Sequence, residues 1–544
     1  MKIFPASLFA ALLASAAVSF AATAVRPNVV IILADDLGWT DVGCQGSKYY
    51  ETPNIDKLAR QGLRLTSYYH SQNCAPTRAA LMSGQYAPRT GVYTVGTLER
   101  GDANARKMNV PVNVTNLPLD RMTLANAMKS SGYATALYGK WHLGEKGAYH
   151  PGQRGFDEAI VSMGKHFGFA TNPKVPVPEG AYLADFLTDH AEMFIEKNKN
   201  RPFFLYLSHF GVHSPHDAKK ELIEKYRKKQ GANGHDDPIY AAMIESIDQS
   251  VGRVMKKLED LKLDENTIVI FMSDNGGVGG YLAAGVNARS ITNNFPLRGG
   301  KGMLYEGGIR VPFVIRWPGH IPPGRTSDQP AAHVDLFPTF LEIAGKKAMP
   351  KQPLDGVSLV KLWKNPDTQL DRAPIYLHFP GYLEAGKKGW RTTPACMMRA
   401  GDFTLLEFFE DNRLELYNVK EDLSQKKNLA KLMPEKTKEL HLKMIDWRKD
   451  IKALMPTLKK QASTKDAKGH EEEARVQLGD VDRVELQVLA GFADSTSWTL
   501  RPSWMEKLGR EASWGQSEDL TADNLKGATS GSASTSRVGR GFPR

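Results

Sequence analysis

Asn28-Val-Val-Ile-Ile-Leu33-Ala34-Asp35-Asp36 is the stretch on which the fold turns. Its apolar, β-branched run shows no alternation, which reads as a strand buried on both faces in a parallel sheet covered by helices. A second run, Asn266-Thr-Ile-Val-Ile-Phe-Met272, ends the same way, in Ser273-Asp274-Asn275-Gly276-Gly277. Ligands in open α/β sheets gather at the carboxyl ends of strands. One such Asp could equally cap the turn or helix that follows. Two acidic clusters at equivalent positions point instead to a shared site. Two more runs deliver polar residues to the same level. Ala134-Thr-Ala-Leu-Tyr138 leads into Gly139-Lys140-Trp141-His142-Leu143-Gly144, and Pro202-Phe-Phe-Leu-Tyr-Leu207 leads through Ser208-His209-Phe210-Gly211 to Val212-His213-Ser214-Pro215. From about Val25 to Lys364 strand-like and helical runs alternate, as at Thr52 to Gly62, where Thr52 reads as a cap and Gly62 as a stop. That alternation predicts an α/β sandwich around a mostly parallel sheet.

If Asp35, Asp36 and Asp274 converge, three carboxylates share one small volume. Each pair at about 4 Å repels by roughly 4 kcal/mol at an effective dielectric of about 20. Three such pairs demand protonation or a cation, and hard oxygen donors select calcium or magnesium over zinc.

The segment Cys74-Ala75-Pro76-Thr77-Arg78 supplies a different chemistry. Pro76 suits the first turn of a helix, where its missing N–H costs nothing. Thr77 to Ser83 continues helically, and Gly84 is a plausible stop. Cys74 therefore falls at a helix N-terminus, where free N–H groups and the helix dipole favour negative charge. Arg78 follows about one turn later, close enough to bring its guanidinium back towards Cys74. A lone Cys is more often a small buried hydrophobe than a reactive group; its company here argues otherwise.

Cys-Ala-Pro-Thr-Arg followed by Ala79-Ala-Leu-Met-Ser-Gly-Gln-Tyr86 resembles the signature of the type I sulfatases, in the alkaline-phosphatase-like superfamily. The resemblance runs from about Asn28 to Ala430. It includes the blocks around Lys140 and His213, Leu297-Arg298-Gly-Gly-Lys301-Gly302, and Tyr305-Glu306-Gly-Gly-Ile-Arg310-Val-Pro312, in the family order. Thr77 stands where Ser is commoner. The resemblance implies an alkaline-phosphatase-like sandwich, with a large mixed sheet between helices. It also implies oxidation of Cys74 to formylglycine by a maturation enzyme. Asp35, Asp36, Asp274 and Asn275 would be metal ligands, joined by an oxygen at position 74, with calcium favoured over magnesium. Arg78, Lys140 and Lys301 would supply fixed positive charge where charge develops. A hydroxyl of hydrated formylglycine would attack sulfur and His213 would protonate the departing oxygen. His142 would then take the proton from the second hydroxyl, releasing sulfate and regenerating the aldehyde. His209 and His216 read as neighbours of His213, and His333 and Asp335 as structural. Val92 to Arg100 and Ile291 to Phe295 are candidates for lining the substrate cleft.

Composition bounds the rest. Residues 1–24 carry Met1-Lys2, an apolar stretch and Ala22-Thr23-Ala24, the pattern of a secretory signal with a small-residue cleavage site. The apolar core is too short for a convincing membrane span, so the product is expected to be exported, periplasmic or extracellular. Three Cys (Cys44, Cys74, Cys396) exclude a disulfide framework, although Cys44 and Cys396 could pair. Residues 25–364 are expected to form the catalytic domain. From Ala373 short strands (Ile375–His378, Thr404–Glu407, Leu414–Tyr417) precede a helix with Leu440, Met444, Trp447 and Ile451 on one face. Residues 365–459 therefore read as a C-terminal subdomain, a small antiparallel sheet with a packed helix. Residues 460–544, rich in Gly, Ser and Thr towards the end, read as a poorly ordered extension. The net charge of +11 lies in the part before this near-neutral tail. A basic surface suits polyanionic substrates, and no groove-reading or base-stacking motif accompanies it for nucleic acid.

Three classes of function fit these observations. The first is a sulfatase acting on sulfate monoesters, of sulfated carbohydrates above all. The second is a phosphoester or phosphonoester hydrolase of the same superfamily. The third is a non-catalytic relative that binds sulfated glycans, which the filled catalytic positions disfavour.

Overall fold

The computed structural model describes residues 26–346, 352–386 and 389–459; the expected signal segment 1–24 and the extension 460–544 lie outside the described residues. Strand β1 (Asn28–Ala34) shows why its sequence does not alternate. Val30, Ile32 and Ala34 enter one hydrophobic core, while Val29, Ile31 and Leu33 enter another on the opposite face. Both faces are covered, so both must be apolar.

The large sheet comprises β1, β2 (Leu63–Leu65), β3 (Ala134–Gly139), β4 (Glu158–Val161), β5 (Phe203–Ser208), β6 (Thr267–Ser273), β7 (Phe313–Arg316) and β8 (Arg325–Ser327). Their order is β8-β2-β7-β6-β1-β5-β3-β4. Strand β1 is central and pairs in parallel on both sides, Val30 facing Val269 of β6 and Leu205 of β5. Strand β7 alone runs against its neighbours β2 and β6. The carboxyl ends of β1, β3, β5 and β6 consequently emerge on one edge, as an open α/β sheet requires of its site.

Helices cover both faces: α1 (Pro53–Arg60), α2 (Cys74–Ser83), α3 (Leu124–Ser130), α4 (Leu183–Lys197), α5 (Pro238–Asp260) and α6 (Leu336–Ile343). Helices α1, α4 and α5 feed the first core; α2, α3 and α6 feed the second. Helix α5 starts cleanly because Asp237 accepts from the amides of Ile239 and Tyr240 at 2.9 and 2.8 Å, with Pro238 in its first turn. Helix α1 begins after Thr52 and ends before Gly62, as expected, but neither residue acts only as a cap or stop. Thr52 holds the cap position but bonds no helical amide; its hydroxyl accepts from Gly43 and donates to Asp56. The helix ends before Gly62, whose missing side chain also lets β2 approach β7, since a Cβ there would strike the Ile315 carbonyl.

After the large sheet come β9 (Ile375–Phe379), β10 (Ala395–Ala400), β11 (Phe403–Phe408) and β12 (Arg413–Asn418), antiparallel in that order, then α7 (Pro434–Asp450). Leu440 and Met444 of α7 are buried, and Trp447 stacks on Tyr376 of β9 at 4.3 Å. Ile375, Met397 and Leu406 share a third core with Tyr69, Tyr305 and Ile309, within the same compact unit as the large sheet. All three cysteines, including Cys44 and Cys396, are free thiols.

Candidate active site

The edge where β1, β3, β5 and β6 end gathers the polar residues singled out in the sequence. Asp35 and Asp36 leave β1, Asp274 and Asn275 leave β6, and Lys140 leaves β3. Cys74 opens α2, all ten of whose residues are buried, and Gly84 ends it in a left-handed conformation with its N–H bonded to the Ala80 carbonyl. The Cys74 thiol lies 3.3 Å from Asp35 Oδ1 and 3.8 Å from Asp36 Oδ1.

Each acid is met by a base. Lys140 Nζ is in direct contact with Asp35 Oδ2. Lys301 Nζ lies 2.6 Å from Asp36 Oδ2. Arg78 donates from Nε and Nη2 to Asp274 Oδ2 at 3.1 and 2.8 Å, and from Nη1 to the Lys140 carbonyl at 2.7 Å. Arg78 thus differs from its sequence reading. Its guanidinium is spent on Asp274 and the end of β3, with Asp35 at 3.6 Å, and has no hydrogen bond to Cys74. Asn275 Nδ2 donates to Asp36 Oδ1 at 2.9 Å. Asp36 and His142 adopt φ of 63° and 62°, a left-handed conformation that costs a non-glycine residue about 1–3 kcal/mol and clusters at functional sites.

The electrostatics follow from this ring. Burial alone would raise the Asp36 carboxyl, but Lys301, His213 and Lys140 hold it far below the usual range. Asp274 moves the other way, raised by burial and by Asp35 despite Arg78. Burial, Asp274 and Asp35 push the Cys74 thiol well above its ordinary value, so it is a neutral donor and a poor nucleophile. His142 is driven well down by burial, Lys140 and Arg78, and its buried Nδ1 has no partner among the described residues. His213 falls to about 3, because burial, Lys301 and Lys140 outweigh Asp36. Its Nδ1 bonds the Ser214 carbonyl at 2.6 Å, which requires a proton there and leaves Nε2 bare, 3.7 Å from Asp36 Oδ2.

Donor atoms of Asp35, Asp36, Cys74 and His213 lie within 4.8 Å of one another. Asn275 Oδ1 is buried without a partner among the described residues, an oxygen whose desolvation nothing there offsets. Asp274 is outside that group of four. Its Oδ2 is taken twice by Arg78, while Oδ1 accepts only the Asp36 amide at 3.1 Å and keeps a lone pair. An oxygen-rich set with one orphaned amide oxygen fits a hard divalent cation.

Several supports had no signal in the sequence. Ser208 Oγ accepts from Arg78 and donates to the Lys140 carbonyl at 2.7 Å, joining β5 to β3. Asn294 Nδ2 donates to the carbonyls of Gly277, Gly279 and Gly299, each at 3.1 Å, fixing the Lys301 loop to the loop after β6. Thr77 Oγ1 accepts from the Ser71 amide at 3.0 Å, a contact its hydroxyl makes and its methyl does not disturb. His209 bonds Ser250 and His333 bonds Ser71, both deep in the cores. A groove of about 360 Å³ beside Tyr281 is lined by Leu282 and by Thr292, Asn293 and Phe295, the last three within the segment expected at the cleft. A separate cavity of about 510 Å³ is lined by Arg310, Arg399 and Lys420 and by none of the proposed catalytic residues.

A mostly parallel sandwich that presents a helix-terminal Cys, an acidic cluster, two buried cations and a third that is partly buried defines a hydrolase for anionic esters. Comparison with known proteins makes the class specific. The chain belongs to the sulfatase family of the alkaline phosphatase superfamily: the family described as Sulfatase matches residues 27–346, and that described as N-sulphoglucosamine sulphohydrolase, C-terminal, matches residues 300–450. It is a sulfuric ester hydrolase. A sulfatase of Formosa agariphila is 35% identical over 499 residues, covering 77% of this chain and 87% of that one. The N-acetylgalactosamine-6-sulfatase of Canis lupus familiaris is 33% identical over 392 residues, 67% of this chain and 71% of its own. Among solved structures, Ps i-CgsB in complex with k-i-k-neocarrahexaose aligns with a TM-score of 0.65 and 32% identity, over 78% of this chain and 92% of that one. No helix among the described residues is long and apolar enough to cross a membrane.

Proposed function

We propose that this sulfatase hydrolyses sulfate monoesters of carbohydrates, using a formylglycine made from Cys74 and one bound calcium ion. The observation that carries the reading is Cys74 itself, opening a wholly buried helix against Asp35 and inside the ring of Arg78, Lys140 and Lys301. As a thiol it is neutral and hydrogen-bonded to a carboxylate, which suits a precursor better than a working nucleophile. The cation would be held by Asp35, Asp36, Asn275 Oδ1 and the free lone pair of Asp274 Oδ1. When present, the hydrated aldehyde supplies a nucleophilic hydroxyl and the cation fixes positive charge at the sulfate. The relatives named as N-acetylgalactosamine-6-sulfatases, and the basic balance of the chain, support a sulfated sugar as substrate.

The chain's own groups divide the remaining work. Lys140 and Lys301 stay protonated, since Asp35 and Asp36 respectively outweigh their burial. They hold a sulfate monoanion and stabilise the charge that builds during transfer. Arg78 is a positioning residue, fixing Asp274 and the Lys140 loop. His142 is neutral with an unpartnered Nδ1, the state of a base that takes a proton. His213 starts neutral; the arriving sulfate opposes the effect of Lys301 on it, so its Nε2 gains a proton and passes it to the departing oxygen. We place the protein outside the cytoplasm, on the signal-like residues 1–24, with a maturation enzyme acting on Cys74.

Purified protein, made together with a formylglycine-generating enzyme, should hydrolyse 4-nitrophenyl sulfate in preference to 4-nitrophenyl phosphate. The phosphate monoester carries an additional negative charge near neutral pH. Preferential turnover of the phosphate would replace this reading with a phosphohydrolase.

A further inference from the structure

Arg391 differs from the other basic residues around the site in what it lacks. Arg100 pairs with Glu384 at 2.7 Å, Arg106 with Glu99 at 3.7 Å, Lys107 with Glu410 at 3.8 Å and Arg298 with Glu415 at 3.8 Å. Arg391 has no carboxylate within 4 Å among the described residues, and its Nε is buried without a hydrogen-bond partner there. The side chain is half-buried, on the short strand Trp390–Thr392 that pairs with Leu383–Glu384. A partly desolvated guanidinium with no acid is costly unless something else pairs with it.

Its place is set from two sides. The guanidinium lies 5.2 Å from the centre of the Tyr281 ring, and the Tyr281 hydroxyl donates to the Lys301 carbonyl at 3.0 Å. Its Cδ packs against Gly302, where an added Cβ would lie 3.5 Å away. Arg391 is therefore one residue beyond Lys301, whose Nζ sits on Asp36. It takes no part in the ion pairs of Asp35, Asp36 and Asp274, which go to Arg78, Lys140, Lys301 and His213. It thus touches the Lys301–Gly302 segment without belonging to the ring around Cys74. A planar fork of donors fixed against an aromatic face suits a carboxylate or a sulfate.

We propose that Arg391 is a specificity residue that binds a second anionic group of the substrate, a carboxylate or a further sulfate ester, beside the sulfate that is cleaved. The inference rests on the sulfatase reading above and deepens it: the preferred substrate carries at least two negative charges on neighbouring positions.

The test compares kcat/KM within matched pairs. Galactose and N-acetylgalactosamine 6-sulfates are set against their disulfated counterparts, and against uronate-containing disaccharides with the same single sulfate. Turnover of 4-nitrophenyl sulfate comes first; if the matured wild type fails there, it is the sulfatase reading that falls. In the wild type the doubly anionic partner of at least one pair should be favoured by about ten- to a hundredfold, the range of a charge-assisted hydrogen bond. Arg391→Gln should bring that ratio to within about threefold of unity, mainly through KM. Arg391→Lys, which keeps the charge without the fork, should leave it intermediate and carries the test if the Gln variant does not fold. The pair whose ratio collapses tells carboxylate from sulfate. A wild type that favours the singly charged partner in every pair, or a ratio unmoved in both variants, would overturn the proposal.

Discussion

Arg78 Nε and Nη2 share one oxygen of Asp274 at 3.1 and 2.8 Å, so the guanidinium four residues beyond Cys74 ties its helix to the end of strand β6. The pair is fully buried, and Arg78 Nη1 reaches the Lys140 carbonyl at the end of β3. One side chain thus locks the relative positions of three elements that build the site.

Removing that tie leaves Asp274 and Asp35 without their shared cation. Arg78→Met should destabilise the fold by about 3–5 kcal/mol, the usual cost of breaking a buried pair from one side. Urea midpoints measure this; a loss below about 1 kcal/mol would show that Asp274 finds other compensation.

Cys74 is a small buried side chain, so Cys74→Ala removes little packing. Activity should fall by at least about a thousandfold, as when an essential nucleophile is lost, with the thermal midpoint within a few degrees of wild type. Measurable turnover of 4-nitrophenyl sulfate by this variant would contradict the role given to position 74.

The orphaned Asn275 Oδ1 and the crowded acids predict stabilisation by cation. Calcium at about a hundred times its dissociation constant should add about 2.7 kcal/mol, and a chelator should lower the thermal midpoint and abolish activity. Asp36→Asn should lose most of the calcium response in a melting experiment. An identical response in wild type and variant would place the ion elsewhere.

Acid should unfold the protein partly through His378. Burial holds its ring down to about 4 against an ordinary value of 6.5, and its Nε2 donates to the Leu454 carbonyl at 2.9 Å. Between those two values the unfolded chain binds the proton and the folded one does not. Stability is therefore lost as pH falls from about 6.5 to about 4, by on the order of 3 kcal/mol for this group. Comparing urea midpoints of wild type and His378→Asn at pH 7 and pH 4.5 checks the sign. The variant should lose less on acidification; an equal loss would remove His378 from the account.

The architecture was legible where burial on both faces forces an unbroken apolar run, as in Asn28–Ala34 and Thr267–Ser273. It was less so where strands lack β-branched residues: Ala395–Ala400, with Cys396, Met397 and Met398, pairs on both sides in the small sheet and gave no strand signal. Among site residues, types and chain order located Cys74, the acids and the lysines, but not who pairs with whom. Arg78 turns to Asp274 rather than Cys74 because the nearer demand is a buried carboxylate. Ser208 and Asn294 were illegible, since a lone Ser or Asn acquires meaning only from the backbone atoms around it. Gly62 follows the helix as read, but its second role, letting β2 approach β7, depends on a contact with the Ile315 carbonyl far away in sequence.

The central claim is that Cys74 is the precursor of a formylglycine nucleophile, and mass spectrometry of the tryptic peptide Leu65–Arg78 tests it most directly. In protein from a host able to mature sulfatases, the account predicts a peptide lighter than the cysteine form and reactive with a carbonyl probe. A thiol that alkylates quantitatively at position 74, in protein that nevertheless hydrolyses sulfate esters, would contradict it.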